Sequence, residues 1–309
     1  MLDGIVWFFQ NILQAFANTF YAITNPGSWL GWFGSQWSGF DGTEQKEALM
    51  TFIYYGGSIE FFFFCFTIFL IVTIIGLMRH SFMWATVRVL EGFGNTVGRF
   101  FAWAGLIMVL QQIVIVFIQR IFASSEISMG LGPLNLYTHD VSWWAEQLKL
   151  FNAMIVAMCL TYTFVQGGHV RVDLVYSKIS FRKKKVIDMF GSLFFMMPMA
   201  VVTWMYAWFF MWRHLVVPKP SASDSLDRLI TKARALRWNI ETIGFSPNGY
   251  DKYFLFKILL VAMAGLIFIQ AIAFFYRSYL EYREGEESEG KYLSKDTLGA
   301  GEEAYEGTH

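Results

Sequence analysis

The chain has 309 residues, 55 % of them hydrophobic and 16 % charged. An ordinary soluble domain carries about 45–50 % apolar and about 25 % charged residues, so this composition excludes one; the surplus sits in long uninterrupted runs, the mark of a polytopic membrane protein. With 24 cations and 24 anions the formal charge is zero, which gives no basis for a nucleic-acid partner.

Residues 2 to 23 place Leu2, Ile5, Val6, Phe9, Leu13 and Phe16 at helical spacing, opposite Asp3, Gln10, Asn11, Gln14 and Asn18. This pattern predicts an amphipathic helix lying in the membrane interface, with a sixth, poor span as the rival reading. No cationic segment precedes it, so a cleaved secretory signal is not expected. Residues 27–40 are rich in Gly and Trp, and Trp29, Trp32 and Trp37 suit either the headgroup belt or a plain aromatic loop.

The first span predicted is Phe61 to Met78, after Glu60 and before Arg79 and His80. The second is Phe100 to Gln119, flanked by Arg99 and Arg120; residues 79–99 between them are expected to be a loop. Gln111 and Gln112 fall near the middle of the second span, where amides usually bond a neighbouring helix. Residues 121–149 read as a loop ending in an interfacial helix start at Trp143, Trp144 and Glu146.

The third span, Leu150 to Gly168, carries no charge over nineteen residues. At about 1.5 Å per residue it covers roughly 28 Å, close to the hydrocarbon thickness. The fifteen residues from Arg171 to Lys185 then hold six cations. Each would cost about 2.5–3.5 kcal/mol at the centre of a membrane helix, so the helix must end near Gly167 and Gly168 and a basic connection must follow. The fourth span is Met189 to Trp212, with a kink expected at Pro198. Residues 213–252 form the one sizeable polar connection, and 226–240 within it read as an amphipathic helix. The fifth span is Ile258 to Tyr276. From residue 277 on, nine acids and four bases predict a disordered tail.

The fold class expected is therefore an all-α membrane protein of about five transmembrane helices, with interfacial amphipathic helices. Its parts are an N-terminal extension (1–57), an extra span with its loop (58–99), a four-helix core (100–276) and an acidic tail (277–309). Excess Lys and Arg mark cytoplasmic connections. The cluster at 171–185 then sets the C-terminus inside and the N-terminus outside, in agreement with the single cation, Lys46, of the first 57 residues. The seven cations of 213–252 fit this less well.

Little chemistry is visible. There is no phosphate loop with a following Lys. None of the five histidines lies inside a span, so no haem or other cofactor and no metal site is expected. Cys65 and Cys159 both fall in spans, which excludes a disulfide framework. No charged residue sits near the middle of a span, and solute pathways usually need one or a broken helix.

The stretch Gly168, His169, Val170, Arg171, Val172 and Asp173 is a helix end followed by His-Val-Arg-Val-Asp, then a basic stretch and another span. It resembles the small membrane (DctQ-like) subunit of tripartite ATP-independent periplasmic (TRAP) transporters. Trp144 and Glu146 loosely match a Trp and an acid usual upstream. The resemblance covers about residues 100–280; the span 61–78 and everything before it fall outside it. It implies a non-catalytic scaffold in the inner membrane of a bacterium. Its partners would be a large membrane subunit that carries an organic acid or similar solute on an ion gradient, and a periplasmic protein that delivers the solute. Residues 168–173 would then contact that subunit or anchor the helix end at lipid phosphates, with structural anchoring the leading reading. The alternative is a membrane anchor of a redox or other enzyme complex.

Overall fold

A long apolar run can satisfy its backbone inside a membrane only as a helix or a closed barrel. The computed structural model takes the first course, and it describes residues 2–34, 39–131, 134–166, 178–244 and 246–293. Helices α1 (Leu2–Thr24), α2 (Gly27–Leu30) and α3 (Thr43–Gly56) precede α4 (Ile59–Met78). One extended residue, Arg79, separates α4 from α5 (His80–Arg120). An antiparallel hairpin of β1 (Glu126–Leu131) and β2 (Leu134–Asp140) leads to α6 (Val141–Met158) and α7 (Leu160–Gln166). Next come α8 (Phe181–Gly191), a π-helical turn (Ser192–Met196) and α9 (Met197–Trp212) in unbroken sequence. The following connection pairs β3 (Val216–Val217) with β4 (Arg237–Trp238) around α10 (Leu226–Ala233), and α11 (Phe254–Glu284) closes the bundle.

Four helical stretches are long and apolar enough to cross a membrane: α4, α5, α8–α9 and α11. The pair α6 and α7, bent by 46° at their junction, makes a fifth when taken as one span. The protein is thus the all-α membrane protein expected from the sequence. Its spans alternate, so the hairpin, α3 and α10 share one end of the bundle and the last turns of α11 mark the other. These are called the hairpin end and the tail end below.

Local sequence explains several boundaries. The Ser58 hydroxyl accepts a hydrogen bond from the Phe61 amide and so caps α4. At the other extreme Gly285, with φ 93°, ends α11 in a conformation that costs only glycine nothing. Pro198 has no amide proton to give to the preceding turn. The backbone answers with the π-turn at Ser192–Met196, just ahead of it, rather than with a break.

The structure departs from the sequence reading at five places. Residues 80–99, expected as a loop, are the first half of α5, whose 41 residues span roughly 60 Å, about twice the hydrocarbon thickness. Gly92, Gly94 and Gly98 suggest a loop, but glycines are well tolerated where membrane helices approach closely. The residues before β1–β2 loop as expected, yet 126–140 form the hairpin. The third span begins at Val141, not Leu150, and is bent at Cys159. The helix expected over 226–240 stops at Ala233, because 237–238 pair with β3 instead. And α11 runs eight residues past Tyr276, so residues 277–284 are helical rather than tail, with Arg277, Ser278, Leu280 and Glu281 buried.

At the hairpin end the N-terminal extension is part of the core. Leu49, Met50 and Ile53 of α3 are fully buried against Trp208, Trp212, Val216, Leu229 and Leu236. The last turn of a helix leaves carbonyls without partners. Here Trp208 Nε1 donates to the Ile53 carbonyl and Trp204 Nε1 to that of Gly56, both at 2.8 Å. A Cβ on Gly56 or Gly57 would overlap the Trp208 and Phe209 rings, which is why the chain turns on glycines there.

Candidate functional site

A charge buried among apolar helices is expensive unless paired, so the buried charges locate where this bundle spends stability. Apart from Asp224, in the connection after α9, those among the described residues gather at the tail end. Arg277 on α11 is 6 % exposed, and Glu91 on α5 is 3 % exposed. They meet in a two-point fork: Nε donates to Oε1 at 2.7 Å and Nη2 to Oε2 at 2.6 Å. Arg277 Nη1 donates to the Lys291 carbonyl at 2.9 Å and lies 3.6 Å from Glu281. Glu281, 2 % exposed, takes a second cation, Lys185 of α8, at 2.7 Å. Two acids and two bases from three helices thus neutralise one another. Trp84 of α5 covers them, its ring under the Arg277 guanidinium and its Nε1 donating to Glu284 at 2.7 Å.

One turn away, α5 carries Gly94 and Gly98 in Gly-xxx-Gly spacing. This lets α6–α7 approach closely. The Thr161 hydroxyl and the Cys159 thiol reach the carbonyls of Gly94 and Gly98, each at 3.2 Å. A Cβ on Gly98 would overlap Tyr162. The bend between α6 and α7 falls at this contact.

Trp144 and Glu146 lie at the hairpin end, in the first turns of α6. Glu146 binds the segment before α11: Oε2 accepts from the Tyr250 amide at 2.9 Å and Oε1 from Ser246 at 3.0 Å. Trp144 is buried beside Trp143, whose Nε1 donates to Asp251 at 3.3 Å. Burial would raise the Asp251 carboxyl, but bonds from Lys252 and Trp143 prevail and hold it below the usual carboxylate range. Glu241 is held low as well, first by its bond from Lys257 at 2.8 Å. The Gln111 amide donates to the Trp144 carbonyl at 2.8 Å and to Gln147 at 3.2 Å, so this mid-span amide bonds the neighbouring helix as expected.

Of the residues singled out from the sequence, Trp144 and Glu146 are therefore internal struts of the hairpin end. Gly168, His169, Val170, Arg171, Val172 and Asp173 lie outside the described residues. The chain on either side of them, at Gln166 and Lys178, belongs to the tail end, as does the ion cluster. Sequence reasoning passed over Glu91 and Arg277, having assigned one to a loop and the other to the tail. The signal was available: Glu91 stands one turn before Gly94-xxx-Gly98. Among the described residues no three His, Cys, Asp or Glu side chains converge as a metal site.

Residues 135–222 match the family model described as the DctQ component of tripartite ATP-independent periplasmic transporters. No curated protein and no solved structure matches the chain. The matched stretch runs from β2 through α6, α7, α8 and α9 into the connection that follows, and it is DctQ-like. It leaves out α1 to α5, α10 and α11.

Proposed function

We propose that this multi-pass membrane protein is the small, non-catalytic subunit of a TRAP transporter and acts as a scaffold for the large carrier subunit. The observation that carries the reading is the family match over 135–222, in a bundle whose buried charges are paired with one another. A group that escorts a charged solute must exchange partners during the cycle. Glu91, Arg277, Glu281 and Lys185 are committed to helix-to-helix bonds, which stiffen a support. In this reading an ion gradient drives uptake through the large subunit of an organic acid or similar solute delivered by a periplasmic binding protein. The chain lies in the bacterial inner membrane with its tail end cytoplasmic.

Gly168 to Asp173 are the proposed contact with the large subunit or with lipid phosphate. Arg171 offers a planar fork for a carboxylate or phosphate, and Asp173 an acceptor at the same helix end. The test is co-purification with the large subunit together with uptake measured over a range of solute concentrations. Arg171→Ala and Asp173→Ala should lower recovered partner and maximal uptake in parallel, with solute preference and apparent affinity unchanged. A changed preference with assembly intact would put these residues on the solute path and end the scaffold reading. Orientation is tested separately by labelling cysteines placed at Lys184 and Ser223, which should react from opposite sides of the membrane.

A further inference from the structure

Between α4, the π-turn with α9, and α11 lies a cavity of about 520 Å³. Phe61, Phe62 and Phe66 form one wall, and Met197, Pro198 and Val201 the other. A second cavity of about 650 Å³ adjoins it toward the hairpin end, lined by Asn11, Tyr54, Glu60, Tyr206 and Asp224. Both volumes are in the range of small-molecule sites, roughly 300–1,000 Å³. Gly57, Ser58, Val202 and Met205 line both cavities, so the two communicate. Their junction is at Ser58, the cap of α4, just ahead of the uncharged run that starts at Phe61.

We propose that these two cavities form one phospholipid site, specific for an amine headgroup: an acyl chain fills the apolar cavity and the headgroup the polar one. The division into an apolar and a polar chamber, meeting at the depth where hydrocarbon meets headgroups, matches one amphiphile. A membrane helix fits less well. Helices pack on small residues, and the small residues of this wall are already covered: Gly56 by Trp208, Gly57 by Phe209 and Gly265 by Trp204. What faces the space is large: phenylalanines on the α4 side, with Met197, Val201 and Met205 opposite.

Charge selects the headgroup. Asp224 is neutralised by Lys232 at 2.6 Å and Arg228 at 3.7 Å. Of the two carboxylates lining the polar chamber, Glu60 is the one that forms no ion pair among the described residues. Its field is felt nearby: burial first and the Glu60 carboxylate second push the Tyr54 and Tyr55 phenols above the usual tyrosine value. A primary ammonium answers that carboxylate, and the Tyr54 and Tyr206 hydroxyls can donate to the adjoining phosphate. Helix α1 closes the chamber with Asn11 and Trp7, held through Trp7 and Phe8 on Phe63 and Phe66 of α4. Apart from the π-turn, α9 and the connection that follows it, the site is built by elements outside the DctQ-like stretch, and it does not depend on the scaffold reading.

The test uses the full chain, incorporated into bilayer discs of equal parts phosphatidylethanolamine and phosphatidylglycerol, extracted in mild detergent and weighed by native mass spectrometry. The expected result is one retained lipid per chain, with phosphatidylethanolamine favoured roughly two- to fivefold, the discrimination of one partly exposed ion pair. Glu60→Lys should reverse that preference without changing total retention. Val202→Trp, on a lipid-exposed position at the neck, should abolish retention while leaving the melting temperature unchanged. Equal retention of both lipids by the native chain, or an unchanged preference in Glu60→Lys, overturns the headgroup assignment. Undiminished retention in a folded Val202→Trp overturns the site. The Glu60→Lys measurement stands whatever the yield of the tryptophan variant.

Discussion

Removing one member of the Glu91–Arg277 pair should unsettle the bundle far more than removing both. The guanidinium makes two bonds of 2.6 and 2.7 Å to a carboxylate, with side chains 7 % and 4 % exposed. Breaking a buried pair costs about 3–5 kcal/mol, because the remaining charge stays in a medium that cannot solvate it. Arg277→Met leaves Glu91 stranded and also frees the Lys291 carbonyl and half of the Glu281 balance, so the upper part of that range applies. Glu91→Leu strands Arg277, which keeps Glu281 at 3.6 Å, so its cost should be nearer 3 kcal/mol. The double variant Glu91→Leu/Arg277→Met keeps Glu281 paired with Lys185 at 2.7 Å and leaves only the Lys291 carbonyl without its donor. It should lie within about 1–2 kcal/mol of the native protein, since apolar replacement of a buried pair is often neutral. The assay is thermal unfolding in detergent, followed by tryptophan fluorescence, for all four members of the cycle. Single variants should melt on the order of 10 °C lower, with most of the loss recovered in the double. If the two single losses simply add, the pair is not coupled and the ion cluster is not what locks α5 to α11.

Further outcomes follow from other contacts. Gly98→Ala should cost about 1–3 kcal/mol through overlap with Tyr162, whereas Gly92→Ala on the open side of the same helix should be neutral or stabilising; melting curves compare them. Glu146→Ala should release the 246–250 segment by removing two bonds, at about 1–3 kcal/mol, read as faster proteolysis there with the spans intact. Because its folded pKa is depressed, Glu241 contributes stability that is present above its unfolded value of about 4.3 and is lost as pH falls through the lower folded one. Hydrogen exchange in 234–244 should therefore accelerate below about pH 4, and Glu241→Gln should remove that dependence. Deleting residues 1–50 should lower thermal stability sharply because it takes Leu49 and Met50 out of the core, while deleting 1–24 should be milder; equal melting temperatures would place α3 outside the core.

The spans were legible from sequence alone because the membrane imposes one rule on every residue of a span: no water is available for its backbone. An uncharged run of about twenty residues has almost no alternative to a helix. For the same reason Gln111 could be assigned a helix-to-helix bond before its partner was known. The four-residue spacing of Trp204, Trp208 and Trp212 is visible in the sequence too, but not that the indoles of Trp204 and Trp208 cap carbonyls of α3, a segment some 150 residues earlier. Charged residues gave the least reliable reading. Their cost depends on what they meet, and Glu91 meets Arg277 across 186 positions of sequence. Read singly, the one suggested a loop and the other a tail. Only the tertiary structure pairs them, and pairing is what lets α5 and α11 run on through residues that would otherwise have ended both helices.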